Sequence, residues 1–278
     1  MTDGPARAEI FDGRTGDELA RRWGVPAVEI WSSVSSTNDR AIVLAVLGAA
    51  RGTTVVADEQ TGGRGRRGTS WISARGAGLW MSVVLDASDA VPQLPLLVGV
   101  ACAEGVDALT DAARLGVKWP NDLTIAGRKV GGVLAEGASG RVVVGVGINL
   151  TLPPDAFAGR LASHATALEM EGIKGLSRSD LAQSILGVLW RRLGGRDPGG
   201  DAIRALVERD ALLHRAVHTE QAGSGVARGV DRTGALVLER ADGSRVLVVS
   251  GSVRLAEPLA GAQPDGGRPS GSRGPSRS

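Results

Sequence analysis

The sequence predicts an α+β fold: a mixed β-sheet carrying helices, followed by a small β-barrel. Three observations carry this expectation. Short apolar runs rich in β-branched residues, Thr53–Ala57, Leu79–Leu85 and Arg141–Ile148, have the length and composition of strands. Between and after them stand segments of helical length, one of which places Leu181, Ile185, Leu189 and Leu193 at four-residue spacing. From about Ala216 the texture changes to short strands separated by glycine turns. With 278 residues, 42% of them hydrophobic, the chain has enough apolar material for one large or two small domains.

Taken in order, residues 1–12 read as loose chain. A first helix is expected over Thr15–Trp23, because Thr15 and Glu18 form a capping box and Gly24 ends it. Ala27–Trp31 reads as a strand. Thr37–Ala50 reads as a helix, with Ser36 as N-cap and Asp39 in the capping-box position. Leu94–Leu109 has the length and apolar content of a buried helix. Val117 to Trp119 end a short strand that Pro120 and Asn121 break. Leu123–Ile125 and Val130–Leu134 then form a hairpin about Ala126-Gly127-Arg128. Ser177 and Asp180 cap a helix running to about Leu193, and a Gly/Pro-rich break follows at 194–200. The helices are expected on one face of the sheet. The resulting divisions are 1–26, an N-terminal segment with a short helix; 27–210, the main domain; 211–257, the barrel; and 258–278, a Gly/Pro/Ser/Arg tail expected to be disordered.

Composition excludes several function classes. No segment offers the ~20 apolar residues of a membrane span, and the N-terminus has no apolar signal core, so a cytoplasmic protein without a membrane partner is expected. A single cysteine, Cys102, rules out an internal disulfide and a multi-cysteine metal site. His164, His214 and His218 give no zinc spacing, so metal ligands stay unknown. The net charge is +2 and no long basic block occurs, so charge implies no nucleic-acid surface.

Two stretches carry chemistry. Gln60 to Trp71 reads Q-T-G-G-R-G-R-R-G-T-S-W, with Arg64, Arg66 and Arg67 among four glycines and no acid between them. Arginine forks bind carboxylate or phosphate oxygens, and glycines let a backbone close over a ligand. The loop therefore predicts a site that captures a small anion and closes; an arginine–glycine segment binding RNA without specificity is the alternative. The second stretch, Val117 to Glu136, contains two of only three lysines, Lys118 and Lys129, in a chain with 32 lysines and arginines. Lysine surviving in so arginine-rich a chain suggests that a compact ammonium is required there.

Q-T-G-G-R-G-R-R-G, K-W-P-N-D and G-R-K-V-G-G-V-L-A-E resemble the three signature blocks of biotin protein ligases. S-S-T-N-D at Ser35 to Asp39 and G-V-G-I-N-L at Gly145 to Leu150 agree, in the family's order, and the resemblance runs from about Ile30 to Leu255. It implies a class II synthetase-like catalytic domain and an SH3-like C-terminal barrel. It implies ATP-dependent attachment of biotin to a lysine of a biotin carboxyl carrier protein through biotinyl-5′-AMP, with ATP, its Mg2+ and biotin as the small molecules. Ser36, Thr37, Asn38 and Gln60 would meet the biotin ring. Gly63, Arg64, Gly65 and Arg66 would cover the carboxylate end, and Lys129 would reach the acyl-phosphate oxygens. Lys118, Trp119, Asn121, Asp122 and Asn149 would face the nucleotide. Lys129, Arg64, Arg66 and Asp122 are the catalytic candidates, Asp122 either assisting the acceptor amine or orienting metal–phosphate contacts. Trp80 would wall the slot, and Cys102 would be core.

Gly62 stands where the family usually has alanine, and Thr69 where many members have a further arginine. Only about 30 residues precede the first block, too few for the DNA-binding winged helix many members carry, so no DNA partner is expected; oligomeric state is left open. The rival readings are a lipoate- or octanoate-protein ligase of the same fold and a non-catalytic biotin or adenylate sensor.

Overall fold

The computed structural model describes residues 4–112, 114–153 and 164–256. The expected disordered tail at 258–278 lies outside the described residues. The main sheet has eight strands in the order β1 (Ala6–Arg7), β4 (Val28–Ser33), β5 (Thr54–Ala57), β6 (Gly78–Asp86), β10 (Arg141–Asn149), β9 (Arg128–Ala138), β8 (Asp122–Ile125) and β7 (Gly116–Lys118). Only β4 and β5 pair in parallel; the other neighbours are antiparallel, so the sheet is mixed as expected.

Period-two alternation along the central strands creates two apolar faces. On one face Val56, Met81, Val83, Leu85, Val142, Val144 and Val146 join a large core with helices α1 (Gly16–Trp23), α3 (Leu94–Asp107) and α4 (Arg178–Leu193). On the other, Val55, Val84 and Val143 pack on Ala41 and Ala45 of α2 (Thr37–Val46). The expectation of helices on a single face is thus corrected. Residues of opposite parity on the same valine-rich strands are equally apolar, and that pattern calls for cover on both sides. Each fully buried valine or leucine here contributes roughly 1.5–3 kcal/mol against its exposed state.

Local signals explain most element ends. Thr15 accepts from the Glu18 amide, Glu18 accepts from the Thr15 amide, and Gly24 closes α1 at φ 65°. The Ser177 hydroxyl caps α4 by accepting from the Asp180 amide at 3.0 Å. Three expectations fail for identifiable reasons. Within residues 4–12 the chain is not loose: β1 joins the sheet edge, β2 (Ile10–Phe11) pairs with β3 (Arg14–Thr15), and Phe11 is buried beneath the Arg178 guanidinium, 4.2 Å from its ring centroid. The break at 194–200 instead starts a helix, α5 (Pro198–Leu206), with Asp197 as cap and Pro198 in the first turn, where a missing N–H costs nothing. Ser36 makes no side-chain cap on α2, and Asp39 forms no capping box because Arg64 takes its carboxylate.

The C-terminal unit is a five-stranded antiparallel sheet, β14 (Arg245–Val248), β13 (Leu236–Glu239), β12 (Gly223–Val230), β11 (Ala216–Thr219) and β15 (Val253–Leu255), with the SH3-like fold expected. It docks on the main sheet through backbone acceptors. Trp119 Nε1 donates to the Gly234 carbonyl at 2.9 Å, and Gln93 Nε2 donates to the Arg232 carbonyl. No helix among the described residues is long and apolar enough to cross a membrane.

Candidate functional site

A cleft of about 390 Å3 opens on the α2 face of the sheet, bounded by the glycine-rich loop and the rim of the C-terminal unit. Its floor follows from strand β10, where the run V-G-V-G at 144–147 puts valines on the core side and Gly145 and Gly147 on the cleft side. A Cβ at Gly145 would fall 2.2 Å from Asn38 Oδ1, and one at Gly147 would fall 2.9 Å from Trp71 Nε1. The two glycines therefore create the hollow that Asn38 and Trp71 flank.

At one wall, the start of α2 is held by a polar network. Gln60 Oε1 accepts from Thr37 N and Thr37 Oγ1 at 2.9 and 3.0 Å, while Gln60 Nε2 donates to Ser73 Oγ at 2.7 Å. Ser82 Oγ lies 2.8 Å from Thr37 Oγ1 and 2.6 Å from Asn38 Oδ1, and Asn38 Nδ2 donates to Glu136 at 2.7 Å. These bonds fix the amide orientations of Asn38 and Gln60, which is how a site presents a donor and an acceptor at set positions. Ser36, Thr37, Asn38 and Gln60 all line the cleft.

The cations separate into two groups. Arg64 lines the cleft but is paired with acids. Its fork holds both oxygens of Asp39 at 2.6 Å and lies 3.5 Å from Glu136. The Asp39 hydrogen bonds push its pKa further above the ordinary arginine value, with burial opposing and Glu136 adding to the rise. Local sequence showed no acid within the loop, but α2 and β9 bring two. Arg67 is likewise paired, with Glu220 at 2.7 Å. Arg66 is different. Its Nη1 donates to the Gly251 carbonyl at 3.1 Å. Burial, then repulsion from Arg67, push its pKa below the ordinary arginine value, and Asp122 only partly offsets this.

Lys129 and Lys118 complete the second group. Lys129 Nζ sits 2.6 Å from Asp122 Oδ1 and 5.2 Å from the centroid of the Trp71 ring, a carboxylate and a π face both holding the ammonium. Lys118 closes β7 and is half-buried. Desolvation lowers its pKa, Asp122 pulls it back up, and Lys129 depresses it further. Asp122 is thus the shared counter-charge of Lys129, Lys118 and Arg66. Three cations about one carboxylate leave a cleft that attracts anions.

The other expected site residues fall as follows. Gly65, Trp119, Asn121 and Asp122 line the cleft; Trp119 is tied by its Nε1 to Gly234, and Asn121 Nδ2 donates to the Val133 carbonyl at 2.7 Å. Gly63 is not among the lining residues; its carbonyl accepts from Trp71 N at 2.9 Å. Asn149 is placed away from the cleft: it is buried at 3% exposure and its amide donates to the Thr166 carbonyl. Trp80 does not wall the slot. It is buried behind Trp71, edge-to-face at 6.4 Å, with Nε1 bonded to Ala74 O. Trp71 forms the wall instead. Sequence reasoning missed Trp71, Met81, Leu134 and the glycine floor. The alternation V-G-V-G was the available signal for the floor. Nothing local marked Asp39 and Glu136 as partners of Arg64.

Among the described residues no group of three or more His, Cys, Asp or Glu side chains is placed to hold a metal ion. Cys102 is fully buried in α3, and burial pushes its thiol up to about 12. The native protein should therefore leave Cys102 unlabelled by iodoacetamide at pH 8, with one equivalent incorporated after denaturation; rapid native labelling would contradict the packing of α3.

Comparison with known proteins agrees with this geometry. A model described as the biotin/lipoate A/B protein ligase family matches residues 32–152, and the biotin protein ligase C-terminal domain matches residues 217–255. A bifunctional ligase/repressor BirA of Bacillus spizizenii is 36% identical over 225 residues, covering 76% of this chain and 68% of the relative. A biotin–[acetyl-CoA-carboxylase] ligase of Mycobacterium tuberculosis is 32% identical over 235 residues, covering 80% and 86%. The Aquifex aeolicus biotin protein ligase solved with biotin and ATP superposes with a TM-score of 0.71 at 27% identity, covering 82% of this chain and 99% of that one. On the matched sequence blocks, the two-part fold and the cation-lined cleft, this chain belongs to the biotin protein ligase family.

Proposed function

We propose that this cleft joins biotin to a lysine of a biotin carboxyl carrier protein, with ATP as the energy source and biotinyl-5′-AMP as the intermediate. The observation that carries the reading is the triad of Arg66, Lys118 and Lys129 about Asp122, in the same cleft as a glycine-floored apolar hollow. The hollow takes the biotin rings, with Asn38 and Gln60 supplying fixed polar partners. The cations bring two anions together. A biotin carboxylate oxygen attacks the α-phosphorus of ATP, the bond to the β-phosphate oxygen breaks, and pyrophosphate leaves. Lys129 and Arg66 stabilise the charge that builds on the phosphoryl oxygens.

In the second step the acceptor amine attacks the acyl carbon, the acyl–oxygen bond to AMP breaks, and the amine loses a proton. Asp122 is the carboxylate placed to receive it once Lys129 turns to the phosphate. Magnesium enters as part of the ATP substrate, where it neutralises phosphate charge; the cleft residues supply no resident metal site. The loop over Gln60 to Trp71 keeps water from the anhydride.

The Lys118 ammonium supplies a pH signature. Its pKa is lowered in the free protein by burial, and a bound polyphosphate favours its charged form. ATP binding should therefore take up protons at alkaline pH, and ATP affinity should fall as pH rises through the lowered pKa. Calorimetry in buffers of different ionisation heat measures this. No uptake at any pH would remove Lys118 from the nucleotide site.

The direct test is a mixture of protein, labelled biotin, MgATP and a carboxyl-carrier fragment, with label expected on the fragment. The octanoyl-transfer rival requires a cysteine nucleophile, and the chain's single cysteine is sealed in α3. Label from octanoate rather than biotin would reverse that preference.

A further inference from the structure

One turn of the glycine-rich loop sends two consecutive arginines onto the C-terminal unit. The turn spans Arg66–Gly68, and Arg67 adopts a left-handed conformation with φ 57°, an uncommon state for a side chain of that size. Arg66 donates to the carbonyl of Gly251, in the connection between β14 and β15. Arg67 Nη1 donates to Glu220 Oε2 at 2.7 Å, in the turn between β11 and β12. The hydroxyl of Ser252, beside Gly251, donates to the other Glu220 oxygen at 3.2 Å. The two barrel segments are thus joined to each other, and both hold the loop. The barrel itself is anchored elsewhere, by Trp119 and Gln93 to the turn between β12 and β13. It is therefore a fixed support on which the loop can be fastened.

We infer that Glu220 is a positioning residue that fastens the glycine-rich loop over the cleft through Arg67, so that the C-terminal barrel retains the activated acyl intermediate until the acceptor arrives. The inference rests on the ligase reading and extends it to a residue outside the catalytic cations. Arg67 and Glu220 are both about half exposed, so the fastening is weak and screened by salt. A weak clasp suits a loop that must open for the acceptor.

The experiment uses the full chain with Glu220→Gln, Glu220→Arg and the swap Arg67→Glu/Glu220→Arg. The readout is the partition of intermediate between enzyme and solution, as free biotinyl-AMP per pyrophosphate formed, without acceptor. Glu220→Gln should raise that ratio about 2- to 5-fold at low salt, the range of an exposed ion pair. Glu220→Arg should raise it further by like-charge repulsion, and the swap should bring it back toward wild type. In the wild type the ratio should rise with ionic strength, and in Glu220→Gln it should not. A merely structural role for Glu220 would move none of these in this pattern. An unchanged ratio in Glu220→Gln, or a swap no better than Glu220→Arg, overturns the clasp.

A second readout needs no catalysis: tryptic cleavage at Arg64 and Arg66 in the free protein should be faster in Glu220→Gln than in wild type. Equal cleavage also overturns the proposal. Absence of any biotin-dependent pyrophosphate formation would refute the ligase reading, and the tryptic comparison would still decide whether the clasp exists.

Discussion

Lys129→Ala should slow adenylation about 100-fold while leaving the fold intact. Lys129 is the ammonium held between Asp122 and the Trp71 ring, with 37% of its side chain exposed. A group at that exposure adds little to folding stability through its ion pair. One lost charge contact to a transition-state oxyanion is worth ~3 kcal/mol, or ~100-fold in rate. Lys129→Arg is more informative. Asp122 can accept a guanidinium with both oxygens, so an arginine would be drawn into a bidentate pair and held off the phosphoryl oxygens. The arginine variant should fold normally, bind biotin weakly and adenylate at least ~10-fold more slowly. Biotin-dependent ATP–pyrophosphate exchange measures the rate, and thermal unfolding monitors the fold. Near wild-type exchange by Lys129→Arg would show that any cation suffices, and the significance of lysine in so arginine-rich a chain would go with it.

Gly145→Val should cost at least ~100-fold in biotin affinity, about 2.7 kcal/mol. A Cβ at Gly145 would fall 2.2 Å from Asn38 Oδ1 and 2.9 Å from its Cγ. Asn38 cannot simply rotate away, because it is buried at 4% exposure and tied to Ser82 and Glu136. The substitution therefore fills the hollow and displaces the amide that flanks it. Overpacking of this kind costs the fold about 1–3 kcal/mol, a comparable figure, so thermal unfolding of the variant is measured beside its biotin affinity. Gly137→Ala is the control. It lies on the neighbouring strand with open space around its would-be Cβ, and its biotin affinity should match wild type. Isothermal titration with biotin decides the matter. Retained affinity in Gly145→Val would place the biotin rings elsewhere.

Both predictions concern residues that differ in how legible they were. Lys129 was visible in the chain because its type is scarce and its motif is specific. Gly145 was visible only as part of a strand, and its role depends on a side chain from α2, more than a hundred residues earlier in sequence. Arg64 marks the opposite failure. As sequence it is a free cation in a glycine loop. In the fold, Asp39 and Glu136 close on it and leave Arg66 as the loop's least compensated charge. Asn149 and Trp80 follow the same logic, each bonded away from the cleft, to the backbone carbonyls of Thr166 and Ala74.

By itself, the sequence determined the central strands, most of the helices and the family. Valine alternation sets strands, Thr15–Glu18 and Ser177 start helices, and five blocks in order name the chemistry, because these signals act over a few residues or survive as strings. Tertiary structure alone decided how each cation is partnered, what floors the cleft, and that the C-terminal barrel grips the loop through Glu220 and Gly251. Those facts depend on pairing between groups far apart in the chain. An ion pair or a steric contact is set by distance in space, and a linear sequence carries no record of that distance.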